Sequence, residues 1–103
     1  MQSPDAVAAL AALAHASRLA AFRLLVQAGP DGLAASRIAE SLDIANSSLS
    51  FHLKELTHAG LVTSRQEGRF VIYAARFDTM NALLGFLTEN CCGGVPCTPA
   101  TSC

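Results

Sequence analysis

Between Ala34 and Gly60 the chain carries two helical periodicities separated by only three residues. Ile38, Ala39 and Leu42 recur at helical spacing in the first segment, from Ala34 to Leu42. Leu49, Leu53, Leu56 and Ala59 do so in the second, from about Asn46 to Ala59, with Gly60 as its stop. The connection is Asp43-Ile44-Ala45. Two short helices joined by so brief a turn form a helix-turn-helix unit, whose second helix is shaped to enter a DNA major groove.

The flanks extend this unit. Leu61 to Gln66 and Phe70 to Ala74 are rich in β-branched, aromatic and alternating residues. Glu67-Gly68-Arg69 lies between them, and Gly68 supplies the positive φ of a tight hairpin turn. Upstream, Asp5 is expected to cap a first helix running to about His15, with Val7, Leu10, Leu13 and Ala14 as its stripe. The small Ala8, Ala9, Ala11 and Ala12 allow close approach of another helix. Ser17 is expected to cap a second helix, with Leu19, Phe22, Leu25 and Val26 as its apolar stripe, before Gly29-Pro30-Asp31-Gly32 forces a turn. Phe77, Met80, Leu83, Leu84 and Leu87 mark a last helix from about Asp78 to Glu89. The expected fold is mainly α with a small β-hairpin wing, in the order α-α-α-α-β-β-α: a winged helix-turn-helix.

A chain of 103 residues supports one domain, here residues 1–90, followed by a Gly- and Pro-containing tail, residues 91–103. Apolar residues make up 51% of it, more than a thin core of this size can use, so a homodimer is expected. The N-terminus has no basic stretch before its apolar run, and that run is too short to span a bilayer, which points to a cytoplasmic protein. A net charge of −1 gives no global attraction for DNA. The distribution is more informative: Lys54, Arg65, Arg69 and Arg76 cluster in the middle of the chain against Glu55 and Glu67, with His52 and His58 beside them.

The run Ile44-Ala45-Asn46-Ser47-Ser48-Leu49-Ser50-Phe51-His52-Leu53-Lys54-Glu55-Leu56 resembles the recognition-helix signature of the ArsR/SmtB repressors, which has Ser-x-His-Leu at its centre. Ala59-Gly60-Leu61-Val62, followed by Arg65, Glu67-Gly68-Arg69 and Tyr73, is similar to that family's wing. The resemblance runs from about Ala6 to Asn90. It implies a dimer built from the first and last helices, operator binding without effector, and release when a metal or metalloid binds. Family members place effector sites differently. Leu33 to Ile38 holds no cysteine pair, so one of the family's site types is absent here, and Asp78 to Asn90 holds no histidine, so the type that uses Asp and His on the last helix lacks its histidine. Asn90-Cys91-Cys92 with Cys97 is similar to the arsenic-responsive subgroup.

Candidate DNA-contacting residues on the second helix of the motif are Asn46, Ser47, Ser48, Ser50, His52 and Lys54. Short hydroxyls and an amide at a helix N-terminus reach base edges and phosphates, which the helix dipole also favours. Arg65 and Arg69 flank the wing and suit phosphate or minor-groove contact, with Gln66 a weaker candidate. The competing reading makes the hydroxyls helix caps, the arginines solvated surface and His52 a buried, hydrogen-bonded structural residue. His15 and His58 read as helix surface. Phe51 stands where a basic residue is often found in this motif.

All four cysteines lie in the last thirteen residues, at 91, 92, 97 and 103. A reduced cluster of this kind binds metal or senses redox state. Soft thiolates select soft ions. As(III) and Sb(III) take three sulfurs in a pyramid, for which Cys91, Cys92 and Cys97 are the candidates, with Cys103 a spare. Gly93-Gly94 and Val95-Pro96 let the chain turn back on itself. Structural zinc with four thiols, a disulfide-based redox switch, sensing of another soft metal and a tail without a role are the alternatives. A thiol enzyme is disfavoured, because these thiols follow a helix C-terminus, whose dipole opposes a thiolate.

Overall fold

The computed structural model describes residues 1–94. Helix α1 (Ser3–Leu13) has Pro4 in its first turn, where a fixed φ suits the helix. Its N-cap is Gln2 rather than the expected Asp5. Asp5 sits three residues inside and accepts a bond from the Gln2 backbone N–H at 3.2 Å, closing the first turn from within. Helix α2 (Ala16–Ala28) is capped two residues earlier than expected. His15 takes the cap position, and its Nδ1 accepts the Ser17 N–H at 3.1 Å.

After α2 the chain turns through Gly32, at φ 71°, into a two-residue strand, β1 (Leu33–Ala34), whose Ala34 was expected to begin a helix. A Cβ on Gly32 would meet the Tyr73 carbonyl oxygen at 2.2 Å, so only glycine lets the backbones come this close. Helix α3 (Ala35–Leu42) ends on Asp43 in the left-handed conformation, φ 54°. The Ile44 N–H returns to the Ala39 carbonyl at 3.1 Å, which sets the angle at which α4 (Asn46–His58) leaves. Strands β2 (Val62–Glu67) and β3 (Phe70–Ala75) form the expected hairpin, paired from Val62↔Ala75 to Glu67↔Phe70. Strand β1 pairs with the other side of β3, giving a three-stranded antiparallel sheet in the order β1-β3-β2. Helix α5 (Phe77–Leu87) follows, and a single 3₁₀ turn, Cys91–Gly94, closes the described chain.

The core is built by Leu25, Ile38, Leu49, Leu53, Leu56 and Leu61, each at most 1% exposed. Helix α1 meets it with Ala6, Ala9 and Ala12, the opposite face from the one its larger residues mark. Val7 is 64% exposed and Leu10 43%, and Leu19 on α2 is exposed as well. These members of the two apolar stripes therefore lie off the chain's own core. Small alanines let α1 approach closely, and the bulky residues are left on the outside with Leu84 and Leu87 of α5. Among the described residues no single helix is long and apolar enough to cross a membrane.

Candidate nucleic-acid interface

Helix α4 has Ala45 at its N-cap, which offers no side-chain acceptor. Asn46, Ser47 and Ser48 are therefore the first three residues of the helix rather than its caps, and all three are exposed. Their backbone N–H groups have no partner within the helix and carry the positive end of its dipole. The core side is fixed by Leu49, Leu53 and Leu56. At 100° per residue, Ser47, Phe51 and Lys54 then fall on the outward row, with Ser50 beside them, and all four are exposed. The helix thus presents hydroxyls, an amide, one cation and one aromatic ring to the outside.

His52 is turned away from that row. It is half-buried against the corner between α1 and α2, with its ring centroid 4.6 Å from that of His15. Its Nδ1 lies 3.5 Å from Nη1 of Arg18, whose Nε donates to the Ala12 carbonyl at 2.6 Å. Burial, the nearby His15 and the Arg18 charge together hold its pKa below 6.5. His52 thus ties α4 to the α1–α2 corner in its neutral form. Arg18 and His15 complete this anchor. Sequence reasoning missed both, since the contact joins residues 34 and 37 positions apart in the chain with no local pattern to mark it.

On the wing the two arginines differ. Arg65 is bonded to Glu67 through Nε, and its Nη2 donates to the Asp31 carbonyl at 2.8 Å. It clamps β2 to the turn that leads into β1, and its side chain is 45% exposed. Arg69 is exposed at the hairpin turn itself, where Gln66 Nε2 holds the Gly68 carbonyl at 2.9 Å.

The cysteines lie just beyond α5. Cys91 is half-buried and Cys92 exposed, with their Sγ atoms 3.6 Å apart. Asn90 and Cys92 both adopt left-handed backbone, φ 57° and 56°, and this sharp turn brings the adjacent side chains to one side. The hydrogen bond with Cys92, then burial, raise the Cys91 thiol above its ordinary pKa. Two soft sulfurs at this separation suit one thiophilic centre. Cys97 and Cys103 lie outside the described residues, and among those described no group of three or more His, Cys, Asp or Glu is positioned to hold a metal ion.

A family profile described as a helix-turn-helix domain matches residues 13–65. The chain is 36% identical over 89 residues to the uncharacterised HTH-type transcriptional regulator YceK of Bacillus subtilis, covering 84% of this chain and 88% of that one. It is 39% identical over 67 residues to a Halobacterium salinarum protein provisionally named arsenical resistance operon repressor ArsR, covering 65% and 51%. Among solved structures, an ArsR-like transcriptional regulator from Rhodococcus sp. RHA1 superposes with a TM-score of 0.73 at 27% identity, covering 84% of this chain and 78% of that one. The homodimeric winged helix-turn-helix DNA-binding domain of Mb0332 from Mycobacterium bovis does so at 0.68 and 27%, covering 84% and 81%. The profile covers half of the chain and the relatives most of it, so the chain belongs to the helix-turn-helix family, as a winged helix-turn-helix transcriptional regulator of the ArsR type.

Proposed function

We propose that the protein is a homodimeric repressor that holds operator DNA through α4 and the wing, and releases it when As(III) or Sb(III) is captured by Cys91, Cys92 and Cys97. The observation that carries the reading is the pair of Sγ atoms 3.6 Å apart at the end of α5, on the helix that also exposes Leu84 and Leu87. The dimer is supported by these exposed apolar residues, by Val7 and Leu10 exposed on α1, and by the homodimeric Mycobacterium domain. A metalloid held at the end of α5 acts where the two subunits meet. Turning one subunit against the other displaces two recognition helices that must reach half-sites about 34–36 Å apart.

On the DNA side, Asn46, Ser47, Ser48, Ser50 and Lys54 meet the major groove and Arg69 the backbone beside it, with Arg65 steadying the wing. The uncapped N-terminus of α4 supports this, as does the exposure of those side chains. His52 supports the same surface from behind. Arsenic sensing is further supported by the name of the Halobacterium relative. Effector and DNA then oppose each other through one reciprocal coupling free energy, typically about 1–3 kcal/mol.

The test is an operator-release titration. Reduced protein on DNA from its own promoter region is titrated with arsenite, and separately with zinc and with oxidant, alongside Cys91→Ser, Cys92→Ser, Cys97→Ser and Cys103→Ser. Release of the wild type by arsenite, with the first three variants resistant and the fourth sensitive, is the expected result. Release by oxidant or zinc instead assigns the cysteines to thiol redox or other soft-metal sensing on the same fold.

A further inference from the structure

Phe51 occupies the middle of the outward row of α4, between Ser47 and Lys54, and is 57% exposed. Its ring stands edge-on to His52, with centroids 5.8 Å apart and planes at 65°. His52 is itself held by Arg18 and His15, so the ring is fixed from below while most of its surface faces outward. An aromatic ring in water is unfavourable in proportion to its exposed apolar area. Its row neighbours are hydroxyls and an ammonium, which suit phosphates and base acceptors and do nothing for a phenyl ring.

The major groove offers one apolar group on its base edges, the 5-methyl of thymine, and phenylalanine is among the side chains that pack against it. We infer that Phe51 is a specificity-determining residue that buries its ring on the methyl group of one thymine in each half-site. The inference rests on the DNA-binding reading above and adds a base preference to it. Ser47 and Lys54, one turn to either side, hold the helix in register while the ring discriminates.

The test starts with full-length protein selecting binding sites from a random duplex library. Each thymine of the recovered half-site is then replaced singly by deoxyuridine, which removes only the methyl. The expected result is one position per half-site where the replacement weakens binding about fourfold, the value of burying one methyl-sized group. Phe51→Ala is expected to weaken binding to the thymine site, to leave the salt dependence of binding unchanged, and to abolish the deoxyuridine effect at that position. Alanine is the strongest helix former, so α4 is retained, which circular dichroism checks. Phe51→Leu keeps an apolar surface and retains part of the discrimination. The inference is overturned if no deoxyuridine position matters, or if Phe51→Ala is as sensitive to the missing methyl as the wild type. Salt-dependent binding that persists in those cases leaves the DNA-binding reading standing, whereas absence of any salt-dependent binding removes both.

Discussion

Helices α1 and α4 are built inside out relative to each other. In α4 the leucines point into the core and the serines, Lys54 and Phe51 point out. In α1 the alanines point in, and Val7 and Leu10 point out. The same solvent surrounds both, so the outer faces are shaped by what each is to meet. The first matches the polar floor of a DNA groove with one apolar point. The second matches another apolar surface, which a second copy of the chain supplies in the dimer proposed above. The two faces can therefore be broken separately.

The largest expected effect lies on the α1–α5 side. Leu84→Asp combined with Leu10→Asp buries carboxylates in the subunit contact and yields a folded monomer by sedimentation. Losing the second half-site then weakens operator binding by about 10²-fold or more. A dimer that survives the double substitution moves the contact elsewhere. Next comes the core side of α4. Leu53→Ala removes a side chain 1% exposed and is expected to lower unfolding free energy by about 2–5 kcal/mol in denaturant melts. Ala9→Leu tests the core side of α1, where Ala9 has no exposed surface, and overpacking is expected to cost about 1–3 kcal/mol. A neutral result there would show that α1 can shift outward without loss.

On the outer face of α4, Lys54→Ala is expected to weaken binding alike on specific and random DNA. It should also reduce the slope of log affinity against log salt by about one, the signature of one lost phosphate contact. The smallest effect concerns His52. Its folded pKa lies below 6.5, so below that value the unfolded chain binds the proton more readily. The contribution is fully present above pH 6.5 and is lost as the pH falls through the lowered folded value. His52→Gln should flatten this part of the stability profile between neutral and mildly acidic pH. An unchanged profile would place the titrating group elsewhere.

Much of the architecture could be read from local pattern. The leucines of α4, the three-residue turn, the hairpin around Gly68 and the adjacent cysteines are all short-range features, and local backbone physics acts at that range. The face of α1 could not be read, because periodicity marks a stripe without saying whether it meets its own core or another surface. Strand β1 was missed for a similar reason. Two residues carry no pattern, and they become a strand only because β3 offers them an open edge.

The candidate DNA-contact residues other than Phe51 were named from sequence, but their division of labour was not. Arg65 and Arg69 are equivalent on paper, and the Asp31 carbonyl distinguishes them in space. His52 sits within the recognition motif yet faces inward, since helical phase turns it toward Arg18. The sequence by itself determined the helix-turn-helix, the wing and the presence of vicinal thiols, because these depend on residues close together in the chain. The tertiary structure alone decided which faces are spent on the core and which arginine is tied down, because these depend on packing between residues far apart.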